Sequence, residues 1–202
     1  MKKLFKIMFY ILFFLIILSN AEVYSKTRIA LQPLGTVDKY IIDSAVAGIT
    51  NLYKVDVTVL KKAELPADAY YEPRKKYRAG KLLDFLDENT DAKYSKIVGL
   101  TTKDISTIKG EYYDWGILGM GSLGGRACVV STFRLKRKVS KNKMLERLVK
   151  VVNHELGHTF GLEHCPEKNC LMQDAKGTVK TVDREQNVFC DSCKLKLLNL
   201  LK

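Results

Sequence analysis

The apolar and polar positions divide the chain into an apolar leader followed by alternating strand-like and helix-like stretches. Residues 7–18 form an unbroken apolar run. Beyond it, residues 28–34 (RIALQPL) predict a strand, turned by Gly35-Thr36. Through residues 37–54, Ile41, Ile42, Ala45, Val46, Ile49 and Leu52 recur at the period of a helix with one buried face. Residues 55–60 alternate and are rich in β-branched side chains, the pattern of a second strand. Residues 65–73 predict a loop. Residues 76–86 predict a helix with Leu82, Leu83 and Leu86 on one side. Residues 96–102 (KIVGLTT) are apolar on both faces, as a central strand must be. Strand, helix, strand, helix, strand in this order implies an α/β sheet with right-handed crossovers.

The second half begins with a glycine-rich stretch, residues 112–125. It lacks the GxxxxGK[ST] form of a phosphate loop and does not lead into a helix, so a turn or bulge between strands is expected. Residues 126–133 (RACVVSTF) predict another strand. The longest helix is expected over residues 141–159, anchored by an apolar stripe of Leu145, Leu148, Val152 and Leu156. A leucine-rich terminal helix is expected over residues 194–202.

Chemistry concentrates on that long helix. The chain has three histidines, His154, His158 and His164, all in the stretch HELGHTFGLEH. Positions i and i+4 lie nearly above one another on a helix, so His154 and His158 present two imidazoles on one face. That pair is a ready chelate for Zn²⁺. Glu155 stands beside the first ligand, placed to act on a water. Gly161 suits a left-handed helix end, after which the chain can return with His164 as third ligand. Three protein ligands leave a fourth tetrahedral position open, the mark of a catalytic zinc site. HExxH alone arises by chance on charged helices. The extension to HExxHxxGxxH makes chance a poor account.

Four of the five cysteines follow closely: Cys165, Cys170, Cys190 and Cys193. Two short-spaced pairs suit a tetrahedral Cys₄ zinc site, with disulfides the rival reading in an oxidising compartment. Cys128, inside an apolar strand, reads as a small buried hydrophobe. Met172 reads as a core methionine.

HELGHTFGLEH followed by Cys165, Cys170, Met172 and FCDSC resembles the archaemetzincins, a family of metzincin zinc metallopeptidases. The resemblance is strongest from Trp115 onward and includes WGILGMGSLGGRACVVSTFRL. It implies a metzincin-type twisted mixed β-sheet packed by a few helices, with residues 126–133 as an antiparallel edge strand able to hold an extended peptide. It implies two Zn²⁺ per chain: a catalytic one on His154, His158 and His164, and a structural one on Cys165, Cys170, Cys190 and Cys193. It makes Met172 the methionine beneath the histidines and Glu155 the general base for peptide-bond hydrolysis. No oxyanion stabiliser stands out; Tyr112 and Tyr113 are candidates for which a structural role is the simpler account.

Composition adds the setting. The chain has 202 residues, enough for one catalytic domain over residues 22–202, and a monomer is expected. Lys2, Lys3 and Lys6, the apolar run and Ser19-Asn20-Ala21 make residues 1–21 a signal peptide, cleaved before Glu22 for export to a periplasm or the exterior. Retained, it would tether the protein to a membrane. Cleavage removes three lysines and no acids, taking the formal charge from +12 to +9. The surplus of 34 Lys+Arg over 22 Asp+Glu is spread rather than blocked, with no basic stripe interleaved with aromatics. A peptide or protein partner is therefore expected, not nucleic acid. The alternative to a peptidase is a zinc-stabilised peptide-binding module with little turnover, which would have no need of Glu155. A nucleic-acid-binding zinc domain is disfavoured by the export signal.

Overall fold

The computed structural model describes residues 27–176 and 178–200; the expected signal segment lies outside the described residues. Among the described residues no helix is long and apolar enough to cross a membrane.

The main sheet has five strands in the order β2-β1-β5-β9-β8. These are β1 (Ile29–Leu34), β2 (Val57–Val59), β5 (Lys96–Thr101), β8 (Gly119–Gly121) and β9 (Ala127–Ser131). β1 pairs in parallel with β2 and β5, and β5 with β9, while β8 runs antiparallel to β9. Helices α1 (Lys39–Tyr53) and α2 (Ala79–Asn89) make the crossovers expected between the first three strands. The strand pleat sends alternate side chains to opposite faces. On one face Leu31, Val98 and Val130 meet α1 and the long helix α4 (Lys141–Thr159); on the other Ala30, Ile97 and Val129 meet α2. Burial on both faces explains why β1, β5 and β9 read as near-continuous apolar runs.

The expectation of an antiparallel edge strand holds, but its place does not. Residues 126–133 supply β9, an interior strand buried at every position. The edge is β8, inside the glycine-rich stretch. The unalternating Ala127-Cys128-Val129-Val130 run is itself the signature of a strand covered on both faces. Cys128 is fully buried, as expected.

A second sheet was not legible in the pattern. It orders β3 (Tyr70–Tyr71), β4 (Lys76–Arg78), β6 (Ile105–Lys109) and β7 (Tyr112–Ile117). The expected loop over residues 65–73 contains β3 between two 3-10 turns, and the helix expected from residue 76 starts at Ala79 because β4 takes the first three residues. These strands are short and half-exposed, so no apolar alternation marks them. They are joined partly by a stack in which the Arg78 guanidinium lies 4.2 Å from the Tyr71 ring centre and 3.6 Å from that of Tyr113.

Helix α4 is held hard against the sheet. Ser140 caps it by accepting from the Lys143 N–H at 3.3 Å. Leu148, Val152 and Leu156 are fully buried, each worth about 1.5–3 kcal/mol on removal from water. Leu145 is only partly buried; Met144 and Val151 complete the stripe instead. The remaining helices are α3 (Thr132–Leu135), α5 (Val179–Arg184) and α6 (Asp191–Leu200), the last beginning three residues earlier than expected. The Arg147 guanidinium makes a two-pronged ion pair with Asp183 at 2.8 and 2.6 Å, tying α5 to α4.

Candidate metal centre and cleft

His154 and His158 project from the last turns of α4, and the helix end is built to return the third histidine. Gly161 has φ +89°; its N–H donates to His158 O at 2.8 Å, and the Leu162 N–H donates to Gly157 O at 3.1 Å. Those two bonds are the Schellman pattern, which needs a residue that tolerates positive φ. The turn places Leu162 O 2.7 Å from His158 Nδ1, while Leu171 O lies 2.7 Å from His154 Nδ1. A carbonyl can only accept, so both Nδ1 atoms carry the proton and both Nε2 atoms are bare lone pairs.

This arrangement is a test of whether a metal fits. The Nε2 atoms of His154 and His158 are 3.1 Å apart. Two acceptors facing each other at that distance repel, unless a cation lies between them. Two nitrogens each about 2.0–2.1 Å from one tetrahedral zinc would be about 3.3 Å apart. His164 brings a ligand nitrogen to the same point, all three within 4.8 Å of one another. Burial, with His158 next to it, lowers His154 to about 4; burial lowers His158 as well. Burial thus favours the neutral form in both, the form a metal ligand needs. The donor set fits zinc.

Glu155 lies partly buried beneath β8. Burial pushes its carboxyl up to about 8, opposed by a hydrogen bond from the Gly121 N–H. The glycines of β8 now have a reason. A Cβ on Gly119 would fall 2.6 Å from Glu155 Cγ, and one on Gly121 would strike the Glu155 carbonyl oxygen. The strand can lie this close to α4 only without side chains at those two positions. Met172 is fully buried, and its Sδ occupies the place a Cβ on Gly157 would take, one residue before His158.

Cys165, Cys170, Cys190 and Cys193 converge, with all four sulfurs within 4.8 Å of one another. None is disulfide-bonded. Cys165 and Cys190 sulfurs are 3.7 Å apart, close to the ~3.8 Å separating two thiolates each about 2.3 Å from a tetrahedral zinc. That pair is too far apart for a disulfide, which needs about 2.0 Å, and the four sulfurs could hold a metal ion.

A cleft of about 310 Å³ opens over the histidines. β8 forms one wall; Thr107 and Trp115 come from the second sheet; Ala175, Val182 and Glu185 face them. Tyr112 and Tyr113 are exposed on β7 and are not among the residues lining the cleft. Sequence reasoning missed Lys150 and Glu185. Nothing in the charged, aperiodic run around residue 185 could have marked it.

A helix bearing HExxH, a third histidine brought back by a Schellman turn and an acidic side chain against an open cleft are the parts of a zinc metallopeptidase. The model of peptidase family M54 matches residues 27–199, and the chain belongs to that family, making it a zinc metallopeptidase acting on peptide or protein substrates. It is 33% identical over 175 residues to the archaemetzincin of Halobacterium salinarum, covering 83% of this chain and 97% of that protein. It is 39% identical over 151 residues to that of Methanopyrus kandleri, covering 74% and 82%. The crystal structure of the Methanopyrus kandleri archaemetzincin superposes with a TM-score of 0.76 at 34% identity, covering 90% of this chain and 98% of that one. That of the Archaeoglobus fulgidus archaemetzincin, complexed with malonate, gives 0.72 at 30% identity, covering 84% and 99%.

Proposed function

We propose that His154, His158 and His164 hold a catalytic zinc, that Cys165, Cys170, Cys190 and Cys193 hold a second, structural one, and that Glu155 is the general base for peptide-bond hydrolysis. The observation that carries this reading is the pair of bare Nε2 atoms facing each other at 3.1 Å, with Glu155 next in the chain to the first of the two histidines. Zinc bound by these residues would lower the pKa of water toward about 7 and polarise a carbonyl. The chain's own residues do the rest. Leu162 O and Leu171 O fix the imidazole tautomers. Glu155 accepts a proton from the attacking water at its carboxylate and passes it to the leaving amine nitrogen. A carboxyl whose burial favours the protonated form is suited to hold that proton between the two transfers. β8, which among the described residues pairs with β9 alone, offers the outer edge not taken by the Gly121–Glu155 bond to an extended peptide by strand addition.

The test is Glu155→Gln. The variant should retain both metals and lose hydrolysis by about 10²–10⁴-fold, the usual contribution of a general base. Full activity with both metals bound would refute the role.

A further inference from the structure

The mechanism above leaves one buried carboxyl in the cleft without a task. Glu185 follows the last turn of α5, where its N–H donates to Thr181 O at 3.0 Å. The residue is 5% exposed, yet Oε1 has no hydrogen-bond partner and the carboxyl is in no ion pair among the described residues. It lines the cleft together with Val151, Ala175 and Val182. A buried acceptor with no partner is costly, and natural proteins keep few of them.

Lys150, the cation whose charge reaches it, does not satisfy it. Lys150 Nζ is engaged elsewhere, donating to Glu146 Oε1 at 2.8 Å and to Val182 O at 3.1 Å. Asp174, exposed at the rim, adds a second negative charge that reaches Glu185. Burial pushes the Glu185 carboxyl up to about 7, Lys150 opposing that rise and Asp174 adding to it. A cation placed against it would restore the charged form.

The surroundings state what that cation would look like. Val151, Ala175 and Val182 give aliphatic walls, and the carboxyl stands among them. A lysine or arginine side chain has the matching form, an apolar stem with a charged donor at its tip. An acidic side chain would meet the carboxyls of Glu185 and Asp174 there, the cleft's lysines being Lys109, Lys176 and the engaged Lys150. An aliphatic one would bring the Glu185 carboxyl no donor, which is how a polar pocket rejects an analogue lacking it.

We propose that Glu185 is a specificity-determining residue that selects a lysine or arginine side chain of the peptide substrate in the part of the cleft between α4 and α5. This rests on the peptidase reading above and deepens it by naming the substrate class.

The experiment has two arms. In the first, zinc-loaded wild type and Glu185→Gln digest a peptide mixture, and cleavage sites are mapped by mass spectrometry. Wild type should favour Lys or Arg over aliphatic residues at one position near the scissile bond by about 10–100-fold, and Glu185→Gln should lose that preference. In the second, fluorescence anisotropy measures binding of paired peptides, differing only as lysine or norleucine at that position, or scanned along the peptide if nothing is cleaved. The protein is zinc-loaded Glu155→Gln, with and without Glu185→Gln. The lysine peptide should bind about 10–100-fold tighter, and only when Glu185 is present. Equal binding of the two peptides, or a preference that survives Glu185→Gln, overturns the proposal. A binding preference without any hydrolysis by wild type would overturn the catalytic mechanism and leave this assignment standing.

Discussion

Replacing Cys170 by serine should weaken the histidine site. The two candidate sites share one short loop. Leu171, next to Cys170, accepts from His154 Nδ1 at 2.7 Å, and its own N–H donates to Val188 O at 2.8 Å, two residues before Cys190. Met172 O accepts from the Cys165 N–H at 2.8 Å, and Cys165 follows His164 directly. A metal on the four sulfurs therefore clamps both the carbonyl that orients His154 and the residue that carries the third ligand. Loss of a partner that orients a metal ligand typically costs 10–100-fold in metal affinity. Emptying the sulfur site should cost the histidine site at least that much, about 1.4–2.8 kcal/mol. Cobalt(II) separates the two sites: thiolate charge-transfer bands report the cysteines, and weaker ligand-field bands report the histidines. Chelator competition followed in each band gives two affinities for wild type and for Cys170→Ser. A variant with its sulfur site empty and its histidine affinity unchanged would refute the coupling.

Two further outcomes follow from particular contacts. Gly119→Ala puts a methyl 2.6 Å from Glu155 Cγ, so either the base or the edge strand must move; kcat should fall by about 10–100-fold with both metals retained, and an unchanged kcat would show that β8 yields without disturbing Glu155. Glu185 has a carboxyl raised from 4.5 to about 7, so the folded protein favours its protonated form; that contribution to stability is present below pH 4.5 and lost as pH rises through 7. The shift corresponds to about 3 kcal/mol. Glu185→Gln should therefore stabilise the protein at pH 8 relative to pH 5, read as a larger gain in Tm at the higher pH. An equal gain at both would mean that the carboxyl is not strained by burial.

The clustering of the three histidines and of the four cysteines, and the helix that carries the first two histidines, were legible in the sequence. Their chemistry depends on spacing within one helix and one turn, and such spacing is local. The period of 3.6 puts His154 beside His158 wherever the helix lies, and Gly161 permits the Schellman turn whatever packs against it. The parallel strands were legible too, because burial on both faces leaves an apolar run. What only the tertiary structure decided depends on partners distant in the chain. β8 is an edge strand because glycines let it lie against α4, and nothing within residues 119–121 says which helix they face. The second sheet owes its pairing to half-exposed strands and an Arg78–tyrosine stack, neither of which leaves a hydrophobic period. Glu185 is one acid in a charged stretch until α5 docks on α4 and buries it, since burial and the lack of a partner arise only when separate elements meet.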